Sequence, residues 1–304
     1  MKIVKKLINK SVNPTVVALG NFDGLHIGHQ ALIKQIVNIA KEERLVSTVF
    51  TFDNHTTSTI KGGNTPKLLI SKNRKIALFR ELGVELLYMV QFTETLMKFT
   101  PLEFIEKILV DILNVRKVVV GFNFRFGYLA KGDLQYLKEI GTKYNFDVIA
   151  VPPITRDNIL VSSTQIRELI RNGKVNLASK LLGRRYSIEG KVIKGRGIGR
   201  KLGIPTANIF FDSNIVIPKL GVYKTNTIID GNKFLSITNI GFNPTLNGEK
   251  LSIETHILDY SQNLYGKTIL IEFIDFIREE KKFDDISKLV QQIKIDINAL
   301  ENIN

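Results

Sequence analysis

The hydrophobic pattern of this chain changes period at Val151-Pro152-Pro153, and that change constrains the fold more than any other feature. Before it, short apolar runs at residues 15–19, 45–52, 86–90, 117–120 and 147–151 alternate with helical patterns at 30–41, 71–82, 101–113 and 131–144. Runs that are apolar throughout suit burial on both faces. Strand and helix in alternation then predict an α/β fold with a parallel, doubly wound sheet and ligands at the carboxyl ends of its strands. After the prolines, two short helical stretches cover residues 163–171 and 175–182, the second ending at Gly183. From residue 186 to 277 the texture is all-β, with segments at 186–193, 223–229, 234–239, 252–258 and 268–277. Asp230-Gly231 and Asn247-Gly248 are hairpin signals, and the spacing predicts a small antiparallel barrel. Leu289, Ile293, Ile297 and Leu300 recur at helical spacing, so the tail should close the fold as a helix.

Length and composition agree with two domains. A chain of 304 residues with 44% apolar content can bury a core in each. Cysteine is absent, which excludes disulfides, thiolate zinc sites and cysteine nucleophiles, and fits a reducing cytoplasm. No apolar run approaches the roughly 20 residues that span a bilayer, and the basic start lacks a signal-peptide core, so the chain reads as cytoplasmic, with no membrane partner. The net charge of +14 has three readings: a nucleic-acid surface, attraction of small anionic substrates, or a general abundance of Lys, Ile and Asn. No dense Lys/Arg block is interleaved with aromatics, so nucleic acid is not read as the main partner.

Gly20-Asn21-Phe22-Asp23-Gly24-Leu25-His26-Ile27-Gly28-His29 holds two of the four histidines, between a predicted strand and a predicted helix. The first N–H groups of a helix are unpaired and its dipole favours an anion, so this turn is a phosphate site. Three-residue spacing lets both imidazoles face the same phosphates, and Gly28 removes a Cβ that would block close approach. Donating imidazoles there can stabilise charge developing on an α-phosphate and on leaving pyrophosphate. A second glycine-rich string, Gly195-Arg196-Gly197-Ile198-Gly199-Arg200-Lys201-Leu202-Gly203-Ile204-Pro205-Thr206-Ala207-Asn208, is neither a dinucleotide fingerprint nor a P-loop. It can still wrap phosphates with backbone donors, and Thr206 and Asn208 offer neutral oxygens that suit Mg²⁺ beside ATP phosphates. On a strand, Leu251, Ile253, Thr255 and Ile257 share one face, which leaves Glu254 and His256 on the other. Taken alone, Glu254 reads as a solvated strand carboxylate, His256 as structural, and Thr206 and Asn208 as turn residues.

His26-Ile27-Gly28-His29 is similar to the signature of the nucleotidyltransferase superfamily that includes class I aminoacyl-tRNA synthetases. The longer string from Gly20 to His29 resembles the prokaryotic bifunctional riboflavin kinase/FAD synthetase family. Gly121-Phe122-Asn123-Phe124-Arg125-Phe126-Gly127 and Val161-Ser162-Ser163-Thr164-Gln165-Ile166-Arg167 extend the resemblance. So do the string from Gly195 to Asn208, Gly221-Val222-Tyr223, Asn239 to Thr245, Leu264-Tyr265-Gly266 and Arg278 to Phe283. It implies a Rossmann-like nucleotidyltransferase domain over residues 1–160, a helical connector over 161–183, and a riboflavin kinase barrel with a C-terminal helix over 184–304. The implied chemistry is ATP-dependent phosphorylation of riboflavin to FMN, then adenylylation of FMN to FAD with release of pyrophosphate. The implied catalytic residues are Glu254, as the base for the ribityl hydroxyl, and His26 and His29. ATP and phosphate contacts fall on Gly20, Phe22, Asp23, Gly24, Gly28, Asn123, Ser162, Ser163, Thr164 and Arg167 in the first half. In the second half they fall on Gly195, Gly197, Gly199, Arg200 and Gly203. Phe124 and Arg278 are implied flavin contacts, and Thr206 and Asn208 the Mg²⁺ ligands. The chain departs from the family after Phe50-Thr51-Phe52-Asp53, where many members have a His-Pro turn and this one reads Asn54-His55-Thr56-Thr57; His55 is given no catalytic role. Two other classes compete. A tRNA-handling enzyme should carry a Lys-Met-Ser-Lys-Ser-like loop, which is absent; a catalytically silent flavin- or RNA-binding regulator should carry lesions at these positions, which all stand.

Overall fold

Apolar residues on both faces of a strand leave it nowhere to lie but the middle of a sheet, and Thr15–Leu19 is buried along its whole length. The computed structural model describes residues 1–7, 10–53, 66–195, 197, 199, 203–245, 248–281 and 285–302. The chain divides into two compact units, Met1–Lys67 with Lys72–Ser162, and Leu68–Ser71 with Ser163–Asn304.

The first unit is built on a six-stranded sheet. Its strands are β1 (Lys2–Val4), β2 (Thr15–Leu19), β3 (Val46–Phe52), β4 (Leu86–Val90), β5 (Val115–Gly121) and β6 (Asp147–Val151), in the order β1-β4-β3-β2-β5-β6. The pairings are parallel. β1 is too short for its alternation to register in the sequence. Helix α1 (Ile27–Glu43) packs Leu32, Ile33, Ile36 and Ala40 toward the sheet, against β2, β3 and β5. A second cluster joins Val17, Leu19, Phe50 and Tyr88 with Phe104, Ile105, Ile108 and Leu109. The helix expected over 101–113 is α-helical only over Pro101–Phe104 and continues as a π-helix over Ile105–Val110. From β2 the chain steps outward through β3 to β4, then returns to the other side of β2 for β5 and β6. The reversal opens a crevice at the carboxyl ends of β2 and β5, where such sheets bind ligands.

The first unit closes with a two-stranded ribbon of β7 (Thr155–Arg156) and β8 (Ile159–Leu160). The second unit is a closed barrel of β9 (Tyr186–Ile193), β10 (Ala207–Phe211), β11 (Gly221–Ile229), β12 (Asn232–Thr245), β13 (Gly248–Ile257) and β14 (Thr268–Arg278), in the order β10-β13-β12-β11-β14-β9. Its pairings are antiparallel. β10 was not among the expected strands; Ala207, Ile209, Phe210 and Phe211 are all apolar, so it shows no polar–apolar alternation. Asp230 and Gly231 both take positive φ, at 50° and 85°, as a two-residue hairpin requires; Asn247 lies outside the described residues. Helices Ser163–Arg171 and Val175–Leu182 are part of this unit, and the second packs on β9 and β14. Inside the barrel, the fully buried hydroxyls of Thr227, Ser236, Thr225, Thr238 and Thr255 join in sequence at 2.9, 2.8, 2.8 and 3.0 Å.

The C-terminal helix Ile286–Asn302 is tied to β14 by one ion pair. Arg278 donates from Nε to both oxygens of Asp296 at 3.0 Å and from a terminal nitrogen at 2.7 Å, and the Asp296 side chain is 4% exposed. Removing one partner of such a pair strands the other charge. Arg278→Leu is therefore expected to destabilise the protein by about 3 kcal/mol. Urea unfolding checks this: Arg278→Leu with Asp296→Leu should recover most of the loss, and an unchanged midpoint in the single variant would refute it.

Candidate active sites

At the end of β2 the chain turns through Gly20, Asn21 and Phe22, the last left-handed at φ 48°, and makes a 3-10 turn over Asp23–Leu25. His26 then caps α1: its Nδ1 accepts the backbone N–H of His29 at 3.2 Å. That bond fixes the tautomer, because a neutral imidazole accepting at Nδ1 carries its proton on Nε2. The two rings stack with centroids 3.6 Å apart and planes 15° from parallel. A Cβ on Gly28 would stand 3.1 Å from the His26 ring, so glycine makes room for the cap itself. Phe22 meets His29 edge-on at 5.3 Å. Burial first, then His26 and Lys75, pull the His29 imidazole well below its ordinary value, so it is neutral at pH 7. Its Nδ1 is buried and, among the described residues, has no hydrogen-bond partner. Asp23 and Gly24 are buried in the same turn.

Sequence reasoning missed Lys75. This partly buried residue of helix Lys72–Glu81 donates from Nζ to the Asn21 carbonyl at 2.6 Å and to the Thr51 hydroxyl at 3.0 Å. Desolvation pulls its ammonium down to about 8, against the opposing pull of Asp23 and Asp53. The signal was present: Lys75 stands with Leu78, Phe79 and Leu82 at i, i+3, i+4 and i+7, a lysine on an otherwise apolar face.

The loop after β5 carries Asn123 and Phe124, so it shares the crevice end of the sheet with the histidine turn. Phe124 N–H bonds the Gly121 carbonyl at 3.1 Å, leaving Asn123 exposed in the turn. Phe124 is half-buried and stacks on Phe126 at 5.6 Å, with one side against the core. Ser162 closes the first unit. Ser163 and Thr164 open the helix Ser163–Arg171, in which Arg167 is buried.

On the barrel, β10 and β13 pair so that Asn208 faces Glu254, and β12 places Asn239 on the other side of Glu254. The Thr206 hydroxyl donates to Glu254 Oε2 at 3.3 Å. Ile253, Thr255 and Ile257 are buried while Glu254 and His256 are half-exposed, the alternation expected of that strand. His256 Nδ1 donates to the Pro205 carbonyl at 2.8 Å, which fixes the residue before Thr206. Gly195 lies against the Asn208 amide, with 2.3 Å between an added Cβ and Nδ2, so any side chain there displaces Asn208. Gly197, Gly199 and Gly203 belong to the same loop; Arg200 and residues 54–57 lie outside the described residues. The structure thus brings together Thr206, Asn208, Glu254 and Gly195 in one unit, and places His26, His29 and the Asn123 loop at the carboxyl ends of two neighbouring strands in the other. The Arg278 guanidinium is engaged by Asp296 and by the Glu279 carbonyl at 3.0 Å, which uses three of its five N–H groups.

Comparison with known proteins gives the same division. A FAD synthetase family model matches residues 8–165, and a riboflavin kinase model matches residues 182–304. The bifunctional riboflavin kinase/FMN adenylyltransferase of Buchnera aphidicola subsp. Schizaphis graminum is 36% identical over 307 residues, covering 99% of this chain and 98% of that protein. Its counterpart in Bacillus subtilis is 36% identical over 294 residues, covering 95% and 92%. A solved structure described as a macrolide-efflux protein from Streptococcus pneumoniae has a TM-score of 0.91 at 31% identity, over 100% of this chain and 99% of that one. Among the described residues of this chain, no helix is long and apolar enough to cross a membrane. With both halves matched and relatives of this identity spanning nearly its whole length, the chain belongs to the bifunctional riboflavin kinase/FMN adenylyltransferase family.

Proposed function

We infer that this chain phosphorylates riboflavin with ATP to give FMN, and adenylylates FMN with a second ATP to give FAD and pyrophosphate. The observation that carries the reading is the presence, in one polypeptide, of two corners of different chemistry: His26 and His29 stacked at a helix start, and Thr206 bonded to Glu254 on the barrel. Residues 1–160 take the adenylyl transfer, 184–304 the phosphorylation, and 161–183 join them.

In the barrel, the riboflavin ribityl oxygen attacks the γ-phosphorus of ATP, its bond to the bridging oxygen breaks, and ADP leaves. Glu254 accepts the hydroxyl proton. Gly195, Gly197, Gly199, Arg200 and Gly203 cover the phosphates, and Arg278 reaches the flavin with the N–H groups that Asp296 leaves. Thr206 and Asn208 present hard neutral oxygens beside the Glu254 carboxylate, a set that fits Mg²⁺ completed by ATP oxygens and water. Bound there, Mg²⁺ offsets negative charge on the ATP phosphates. Among the described residues, no group of three or more His, Asp or Glu could hold a metal instead.

In the sheet domain, an FMN phosphate oxygen attacks the α-phosphorus of ATP, the bond from that phosphorus to the pyrophosphate oxygen breaks, and pyrophosphate departs. Neutral His26 and His29 donate to the phosphate oxygens as charge shifts onto them. Gly20, Phe22, Asp23, Gly24 and Gly28 shape the turn around those oxygens. Asn123 and Ser162 hold the nucleotide, and Phe124 offers a ring face to the flavin. The partners are these small molecules, and the cysteine-free composition suits the reducing cytoplasm, where we place the chain. One chromatographic time course tests the reading: purified protein with Mg-ATP and riboflavin should yield FMN, then FAD. Absence of both products would refute it.

A further inference from the structure

Helix Lys72–Glu81 buries Leu78 and Phe79, and Lys75 stands on the same face one turn before Phe79. Phe79 packs edge-on against Phe22 at 5.6 Å, and Phe22 against His29 at 5.3 Å. That face brings the Lys75 ammonium to the base of the histidine turn, where it bonds Asn21 and Thr51. Both acceptors are neutral oxygens, and they occupy two of its three N–H groups. Among the described residues, no carboxylate lies within ion-pair distance of this Nζ; the nearby Asp53 pairs with Lys72. Among the described residues, Asp23 and Asp53 act on this ammonium only from beyond ion-pair distance, and its direct partners are neutral, so its complement is an anion.

We propose that Lys75 binds the departing phosphates of the nucleotide in the histidine site. The proposal rests on the adenylyl-transfer reading of that site and adds to it a cation from a different helix. The charged and titratable groups around Lys75 and His29 are His26, Asp23, Asp53 and Lys72. Of these, Asp23 and Asp53 favour the charged lysine, and Lys75 in turn disfavours a charged His29. Pyrophosphate leaving the α-phosphorus gains negative charge, and the third N–H of Lys75, which has no partner among the described residues, can receive it.

The test uses the full chain with Lys75→Met, and with Lys75→Gln as a second uncharged variant that keeps a donor for Asn21 and Thr51. FMN formation from riboflavin and FAD formation from FMN are assayed separately, and the imidazole Cε1–H signals are titrated by NMR with and without pyrophosphate. FAD formation should fall about 10²-fold, with FMN formation within twofold of the parent. Pyrophosphate should shift the His29 signal in the parent alone. Lys75→Arg, which keeps the charge, should recover at least a tenth of the parent rate. FAD formation within threefold of the parent in Lys75→Gln would overturn the proposal, as would an equal response to pyrophosphate in parent and variants. Failure of the parent to make FAD would instead remove the adenylyl-transfer reading, and the pyrophosphate titration would still decide what Lys75 binds.

Discussion

Glu254→Gln is expected to lower riboflavin phosphorylation by about 10²-fold or more while FMN adenylylation continues. The substitution isolates the carboxylate's charge and basicity. Glutamine keeps the length of the side chain, and its amide oxygen can accept the Thr206 hydroxyl that Glu254 Oε2 now accepts at 3.3 Å. The strand is held by its neighbours, since Ile253 and Thr255 on either side are fully buried. The deficit should therefore appear in kcat, with a smaller change in KM for riboflavin, because a base acts only as the hydroxyl begins to lose its proton. Steady-state assays of the separate half-reactions read both quantities. Undiminished FMN formation would remove Glu254 from the reaction.

His29→Ala should reduce FAD formation from FMN by about 10²- to 10³-fold and leave FMN formation at the parent rate. The helix start should survive, because the N-cap bond to His26 comes from the backbone N–H of residue 29, which alanine retains. What is lost is a neutral ring 3.6 Å from its partner. His26→Ala differs, since it removes the cap as well and adds a stability loss of about 1 kcal/mol. With riboflavin and Mg-ATP, the His29→Ala protein should accumulate FMN. Parent-level FAD would show that the imidazole takes no part.

The architecture was legible because its signals are local. The run at 15–19 is buried at every position, and the all-β texture from residue 186 became a closed barrel. Glu254 was placed on the correct strand face because alternation has period two and Ile253, Thr255 and Ile257 mark the other side. What the sequence withheld depends on contacts across long separations. Strand β10 is defined by its pairing with β9 and β13 more than by its own composition. Arg278 reads as a free cation until the C-terminal helix supplies Asp296, eighteen residues on. Lys75 reads as a surface lysine until the fold sets it under Asn21, fifty-four residues away. His26 was expected at the phosphate site, but its service as an N-cap needed the geometry of the turn.

The barrel's run of hydroxyls, from Thr227 to Thr255, makes its interior a sentence in which no single word can be changed. Valine at an inner link removes one hydrogen bond from each of two neighbours in a dry space, each loss costing about 0.5–1.5 kcal/mol. A one-at-a-time mutational scan would therefore score every member as intolerant. Replacing all of them together with aliphatic residues of matched volume leaves no orphan behind, so lineages are expected to swap this set wholesale or keep it intact.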